Sequence, residues 1–587
     1  MKKLFVFLVF FLILLLPASF AFNLWSGKKN LEKAKTFLLS GDFEKAEIAA
    51  ANSSRCFKRV KVLKRISRIK DLIEIGEGFS KASFHLAKTG ESIEKIINVV
   101  LGKETGDLKK IAGGARIELD LAWEDLSLVE GILKKRPIVE IPEMREKIEI
   151  GRELLSVIPD VFGATEKKSY LFLLQNNMEL RATGGFIGSY ALSIFENGKL
   201  LDFQVEDVYT ADGQLKGYVE PPEPIKKYLG EAGWYLRDSN FDPDFPKTAE
   251  KVKWFFQKET GRVVDGVVAI NLFVAQKILK AMGPVVLPDY QETITADNLF
   301  ERAEYHSEVG FFPGSTQKGD FLANLTSQIF QKFSQTRNWL KIGKALFESL
   351  EEKQLLLSLN DERVMRIISR YNWDGRILEN AQCPMPNAQC IPDYLMIVES
   401  NFGINKSNYF LERQLSHEIE LGEEIEEKLT INYKNNSPTQ TWPGGNYKNY
   451  LRVYTPLGSQ LLEAKIDERV LDLGKVDISF ALGKTIFGFL VKVPVGEERE
   501  VSVRYRIPFK ITGTVASFER QRETSYAYSL LFQKQSGIDK DSLDVLISYP
   551  SSLKVTKVSP QALTGPQIIL YNTDLSRDRV FLIEFTR

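Results

Sequence analysis

The residues best placed to do chemistry fall between positions 175 and 245. The first group reads Gln175-Asn176-Asn177-Met178-Glu179-Leu180-Arg181-Ala182-Thr183-Gly184-Gly185-Phe186. Two adjacent glycines after a strand let a backbone approach a ligand closely, and the amides exposed there can receive an anion. Arg181 would add a fork of donors and Thr183 a hydroxyl. Arg181, Thr183, Gly184 and Gly185 therefore form a candidate anion grip, although the same residues also fit a tight turn feeding a glycine-containing strand. Next, Glu206, Asp207 and Asp212 flank a turn. Three carboxylates there can hold a hard cation through oxygen. Their spacing is not the acid ladder of a calcium loop, and Asp212-Gly213 is also an ordinary turn dipeptide. Finally, residues 234–246 gather Arg237, Asp238, Asp242 and Asp244 among aromatic rings, with Pro243 and Pro246 calling for a fixed loop. A polar cleft and a salt-bridged connection before a helix are both compatible with that stretch.

Other catalytic classes find little support. The histidines are His85, His306 and His417, and no nucleophile elbow, zinc-binding His-Glu-x-x-His helix or phosphate loop with its lysine occurs. A serine hydrolase or zinc peptidase is thereby disfavoured. A formal net charge of +1 gives no global field to recruit nucleic acid. Cys383 and Cys390 flank a Pro- and Asn-rich segment and are expected to close a small loop as a disulfide in an oxidising compartment. They lack a histidine or acidic partner at metal-ligand spacing, and Cys56 is left as a buried thiol.

The elements that must position these groups follow from the pattern. Lys2 and Lys3, an apolar run over 4–16, Pro17 and then Ser19-Phe20-Ala21 make residues 1–22 an export signal or membrane anchor. The apolar run is short against the roughly 20 residues of a spanning helix. Both cleavage after Ala21 and retention stay open. Pro17 is expected to break the helix. No second long apolar stretch follows, so the chain is expected to cross a membrane at most once. Residues 28–160 carry apolar residues at three- and four-residue spacing, the mark of a helical bundle, with Ala34, Leu38, Gly41, Asp42, Phe43 and Ala46 matching one helical hairpin. Within it, residues 55–70 hold eight basic residues opposite Phe57, Val60, Leu63 and Ile66. That face suits either an anionic membrane or wall polymer, or solvent with neighbouring acids. Residues 165–345 alternate strand and helix as an α/β core. Residues 346–400 read as a helical and disulfide-loop connector. Alternating segments over 401–510 predict a β-sandwich, and 511–587 supply strands that complete it or form a second module.

The same motifs resemble a known family. Residues 176–190, Asp207-Val208-Tyr209 with Asp212-Gly213, Arg237-Asp238-Ser239-Asn240, Val264-Asp265-Gly266-Val267 and Phe312-Pro313-Gly314-Ser315-Thr316-Gln317-Lys318 look like an uncharacterised bacterial family. It is catalogued as domain of unknown function four-thousand-and-twelve, and that name carries no activity. The likeness extends more weakly through Asn405-Lys406-Ser407-Asn408, residues 447–454 and Gln533-Lys534-Gln535. The order of strands, arginines and aspartates is more distantly similar to LytR–CpsA–Psr phosphotransferases, which move a glycopolymer from a polyprenyl-pyrophosphate carrier onto a wall or surface acceptor. That resemblance implies a central α/β domain of their kind within a multidomain α+β chain. It assigns catalytic roles to Arg181, Arg237 and Asp238, with Arg302, His306 and Lys318 as a further basic cluster. It also implies Mg2+. Ala182-Thr183 follows the first arginine where those enzymes place an aspartate, so the ion would fall to Asp207 or Asp212.

The expectation is an exported cell-envelope protein. One form of it is such a phosphotransferase. The other is a non-catalytic protein that binds a glycan or lipid-linked ligand, or acts in adhesion or surface structure. Its partners would be a membrane or cell-wall polymer and no nucleic acid.

Overall fold

The computed structural model describes residues 2–61, 67–133, 140–306, 338–381, 389–509 and 525–586, with scattered positions between 324 and 336. The chain is mixed α+β. An N-terminal helical region leads into a five-stranded α/β sheet, and two large sheets form the C-terminal part.

Five helices open the chain: α1 Lys2–Ser40, α2 Phe43–Arg59, α3 Ser67–Val100, α4 Leu108–Leu133 and α5 Glu140–Val161. The expected break at Pro17 does not occur, because α1 runs through it without interruption. A proline's neighbours can re-satisfy the carbonyl it leaves free, so one proline bends a helix more readily than it ends one. The α1–α2 hairpin matches the sequence. Gly41 takes the left-handed conformation, and the Asp42 side chain caps α2 by accepting from the Lys45 amide. Small residues on both helices, Ala34, Ala46, Ala49 and Ala50, are buried and let them pack closely.

The α/β sheet contains β1 Lys168–Asn176, β2 Phe186–Glu196, β3 Lys199–Asp207 and β4 Gly266–Asn271, with the short hairpin β5 Val285–Leu287 and β6 Glu292–Ile294 outside it, and β7 Leu355–Leu359 as its last strand. Its order is β3-β2-β1-β4-β7; only β1 and β4 run parallel, and the other pairs are antiparallel. The intervening helices are α6 Val208–Asp212, α7 Phe245–Thr260, α8 Leu272–Met282, α9 Leu299–Glu304, α10 Trp339–Glu351 and α11 Glu362–Arg370. Alternation along β1 sorts its side chains onto two cores. Leu171 and Leu173 pack with Val252, Phe255 and Phe256 of α7. Tyr170 faces Val99, Leu119 and Leu126 of the bundle on the opposite side. The helical bundle therefore covers part of this face, and α8 and α10 cover the part formed by β4 and β7.

The remaining strands are β8 Gln389–Val398, β9 Leu411–Leu421, β10 Ile425–Asn435, β11 Tyr447–Pro456, β12 Gln460–Ile466, β13 Arg469–Val470, β14 Asp477–Ala481, β15 Lys484–Val493 and β16 Glu498–Ile507. They continue with β17 Ser525–Gln533, β18 Ser542–Ser548, β19 Lys554–Ser559, β20 Leu563–Gly565, β21 Ile568–Asp574 and β22 Arg579–Thr586. An eight-stranded and a seven-stranded sheet enclose one apolar core to which both contribute, from Leu395 and Phe487 to Ile547 and Phe585. The late strands join these sheets directly: β17 pairs with β8 and β18 pairs with β9. The strands beyond 511 thus complete the first sandwich. The segment 346–400 is divided, since β7 closes the α/β sheet while β8 lies inside the sandwich.

Candidate functional site

The motif around Arg181 is the loop that leaves β1 at Asn176 and enters β2 at Phe186. Its glycines permit close approach, as their type suggested. A Cβ on Gly185 would collide with the backbone of Asn176 and Asn177, and Gly184 sits at φ +133°, beside Gln175 and Ser536. What comes close is the sandwich. Gly537 lies so near the Gly184 carbonyl that a side chain on Gly537 would collide with the Gly184 backbone. Thr183 forms a parallel β-bridge with Ser536 and accepts from the Gln175 amide at 3.2 Å.

Arg181 is buried and surrounded by acceptors. It donates to Glu179 Oε1 at 2.9 Å and to the carbonyl of Asn401, and it lies 3.8 Å from Asp238 Oδ1. Its ring neighbours are Phe186 and Phe402. Lys406 Nζ donates to the second Glu179 oxygen at 2.7 Å. Burial alone would raise the Glu179 carboxyl, but Lys406 and Arg181 outweigh it and hold the group below the usual range.

Arg237 stands on the turn Leu236–Phe241 that precedes α7. It donates to Asp212 Oδ2 at 2.8 Å and to Glu231 Oε2 at 2.8 Å, and its Nε lies 3.4 Å from Asp238 Oδ2. Asp238 thus joins the two arginines. Desolvation pushes its carboxyl up to about 6, against the pull of Arg181 and Arg237. Asp212 is likewise raised by burial, with Arg237 opposing. Deeper in, Glu259 is pushed up to about 8 by desolvation and then by Asp212, and it accepts from the Leu236 amide at 3.2 Å.

The predicted residues therefore divide. Arg181, Arg237, Asp238 and Asp212 meet in one buried network, with Thr183, Gly184 and Gly185 beside it. Asp207 instead caps α6, accepting from the Tyr209 amide at 2.9 Å. Arg302 and His306 gather on Glu292, at 3.5 and 3.2 Å. Lys318 and Cys383 lie outside the described residues. Cys390 is disulfide-bonded, and Cys56 is a buried free thiol.

The carboxylates do not fit the Mg2+ that the transferase resemblance implies. A hard cation wants several free oxygens converging on one point. Asp212 spends an oxygen on Arg237, Asp207 spends one on a helix cap, and among the described residues no group of three potential ligands is arranged for a metal.

Sequence reasoning missed the other half of this site. Asn401 donates its amide to the Leu180 carbonyl at 2.8 Å, and Asn408 Oδ1 accepts from the Leu180 amide at 3.1 Å. Gln535 Nε2 reaches the Arg181 carbonyl at 3.1 Å, Asn177 Nδ2 the Gly537 carbonyl at 3.3 Å, and Gln354 bridges to the carbonyl of Ile538 at 2.5 Å. In an open α/β sheet the crevice beyond the carboxyl ends of the parallel strands is the usual ligand position. Beyond β1 and β4 that position is filled by residues 535–538 of the sandwich. The signal was present in the sequence: Asn405-Lys406-Ser407-Asn408 and Gln533-Lys534-Gln535 stand out as polar runs between strands, and they are the complement of the Arg181 loop. Among the described residues, clefts of appreciable size lie elsewhere. One of about 310 Å³ is lined by Trp254, Val263 and Asn360, and one of about 430 Å³ lies among α2, α3 and α4.

Residues 165–306 match the model of a family described as "Protein of unknown function (DUF4012)", an uncharacterised domain family. No curated protein matches the chain. Among solved structures, it is similar to an M1 zinc metallopeptidase from Deinococcus radiodurans, at 11% identity and a TM-score of 0.18 over 30% of this chain and 42% of that one. It is also similar to leukotriene A4 hydrolase from Saccharomyces cerevisiae, at 10% identity and a TM-score of 0.19 over 30% of this chain and 29% of that one. The chain spans less than half of either structure, and likenesses at this level carry no functional argument.

Proposed function

We propose that this chain is an exported cell-envelope protein that works by binding and display, not by catalysis. In this reading the helical bundle carries the α/β sheet and sandwich, as one rigid head, outward from the membrane. The observation that carries the reading is the plugged crevice: Arg181 and Glu179 are spent on a buried contact between the sheet and the sandwich, and Arg237 is spent on Asp212, Glu231 and Asp238 of its own domain. A phosphotransferase needs arginines free to neutralise charge that develops on a transferred group. Arg181 is 4% exposed and already holds Glu179, a backbone carbonyl and Asp238.

A display role is further supported by the sandwich rim. Among the described strands, β14 is one of the two edges of the seven-stranded sheet, and it exposes Ile478 and Phe480, with Leu482 beside it. An unpaired edge bearing apolar side chains is a ready contact surface for an envelope glycan, polymer or protein.

The transferase reading keeps one observation in its favour, the convergence of Arg181, Arg237 and Asp238 on one spot. It would require the sandwich to swing away before substrate could enter. Both readings are tested by incubating the purified full chain with a polyprenyl-pyrophosphate-linked oligosaccharide and Mg2+, and following release or transfer of the glycan. The expected result is no turnover by folded protein. Turnover that disappears in Arg181→Ala, with the variant still folded, would overturn the binding reading.

A further inference from the structure

The basic end of the helical bundle has a second neighbour besides solvent. Phe20 and Leu24 of α1 pack on Phe57 and Val60 at the end of α2 and on Ile69 and Ile73 at the start of α3. The antiparallel hairpin thus brings the last turn of α2 level with the point where α1 leaves its apolar run. The exposed cations at that level are Arg55, Lys58, Arg59 and Lys61, with the exposed Lys70 and Asp71 in the first turns of α3. Arg55 donates to Asn52 at 3.0 Å, and Lys58, Arg59 and Lys61 form no ion pair with a described residue. On α1, Phe22 and Trp25 are 63% and 57% exposed, and Lys29 lies 4.8 Å above the Trp25 ring. Aromatic rings with lysines above them at the end of an apolar helix are the arrangement found where a helix leaves a bilayer.

We infer that Arg55, Lys58, Arg59 and Lys61 form a collar that rests on anionic lipid headgroups, with Phe22 and Trp25 seated in the interface beside it. The inference rests on the anchored reading above and adds the lipid chemistry that the anchor meets. Cutting after Ala21 would strip Phe20 from its apolar cluster, so the packing supports an uncut α1 that holds the collar against the membrane. Basic residues near an anionic surface are drawn to it, and salt screens that attraction. The occupant is a surface and not a single swallowed headgroup. The neighbouring cleft of about 430 Å³, which Arg55 and Lys58 also line, has Glu124 and Asp125 on its other wall.

The test uses the full chain in lipid nanodiscs of pure phosphatidylcholine or of phosphatidylcholine mixed with phosphatidylglycerol. Lysines are acetylated with a membrane-impermeant reagent and quantified by mass spectrometry, with Lys554 on the distant strand β19 as the internal standard. Lys58 and Lys61 should be modified several-fold less in the anionic discs, and raised salt should remove the difference. Equal modification in the two discs, with the protein firmly in both, would overturn the collar and leave the anchor standing. Failure of the protein to stay with any disc would sink the anchor and the collar together. Protection in neutral discs by soluble poly(glycerol phosphate), equal to that given by anionic lipid, would assign the surface to a polymer and overturn the lipid proposal.

Discussion

Lys406 Nζ lies 2.7 Å from Glu179 Oε2, across 227 residues of chain and from one domain to the other, with both side chains almost wholly buried. Glu179 uses its other oxygen for Arg181, so one carboxylate is clamped between a cation of its own loop and a cation of the sandwich. Buried charges of this kind are costly to bring out of water and far more costly to leave unpaired. The contact therefore fixes how the two domains meet more than it adds net stability.

Lys406→Met should accordingly lower stability by about 3–5 kcal/mol, the range for breaking one side of a buried pair. Glu179→Leu should cost a similar amount, because Arg181 and Lys406 are then left facing each other. The double variant should be less damaged than the sum of the two. Chemical denaturation of the four proteins gives the coupling energy. Strict additivity would show that the two residues do not act on each other and would remove the clamp from the account.

Gly537 and Gly261 separate close approach from backbone strain. Both adopt positive φ, at +87° and +74°. Alanine at either site carries the left-handed strain of about 1–2 kcal/mol. At Gly261 nothing lies within 4 Å of the added methyl, whereas at Gly537 it would collide with the Gly184 backbone. Gly537→Ala should therefore destabilise well beyond Gly261→Ala and loosen the domains from each other. Limited proteolysis, read at the 177–185 loop, reports the loosening. Equal effects of the two substitutions would contradict the close contact.

Much of the fold was legible because it rests on local patterns. The period of the apolar residues gave the bundle, and the Gly41-Asp42 turn gave its first hairpin. Alternation gave the sandwich strands, though not their pairing, because the register of β17 on β8 or β18 on β9 is set by a core assembled from both sheets. The motif around Arg181 was legible as important but not as structural. Arginine, carboxylate and paired glycines are what a phosphate site needs, and they are equally what a tight polar contact between two backbones needs. Only the partner distinguishes the two uses, and that partner lies more than two hundred residues further along the chain. Arg302 and His306 were expected in a further basic cluster because the transferase resemblance places one there, and Glu292 of the β5–β6 hairpin pairs with them both.

Gln535 offers a test of the contact that involves no charge. Its Oε1 accepts from the Glu399 amide at 2.9 Å, while its Nε2 donates to the carbonyls of Arg181 and Glu399 at 3.1 and 2.8 Å. Gln535→Met preserves the shape and removes all three bonds, leaving the buried Glu399 amide and carbonyl without this partner at about 1–3 kcal/mol each, while the Arg181 carbonyl keeps the Gly184 amide at 3.1 Å. A loss of several kcal/mol is expected by denaturant titration. A loss below about 1 kcal/mol, within the scatter of ordinary surface changes, would mean that water replaces the side chain and that the interface is wetter than its burial indicates.

The sandwich core carries the clearest dependence on pH. Glu427 accepts from Tyr505 at 2.7 Å and pairs with His417 at 2.9 Å, and Asp393 is hydrogen-bonded to Glu427 and to Tyr528. Desolvation governs all three titrations. It raises Glu427 to about 7 and Asp393 well above its ordinary range, and it lowers His417 to about 4. A carboxyl with a raised folded pKa contributes stability that is complete below its unfolded value, near 4.5, and is lost as pH rises through about 7. A histidine with a depressed folded pKa does the opposite: its contribution is complete above about 6.5 and is lost as pH falls through about 4. Between about pH 4.5 and 6.5 the slopes of Glu427 and His417 therefore oppose each other, each at about 1.4 kcal/mol per pH unit. Glu427→Gln removes its own slope and leaves those of His417 and Asp393. Relative to wild type, its stability should rise with pH across that window at up to about 1.4 kcal/mol per unit. His417→Gln should tilt the other way, losing stability as pH rises. Unfolding titrations at a series of pH values compare the three directly. If all three proteins showed parallel pH profiles, the buried network would not be exchanging protons as its burial requires, and the assignment of a neutral histidine beside a protonated carboxyl pair would fall.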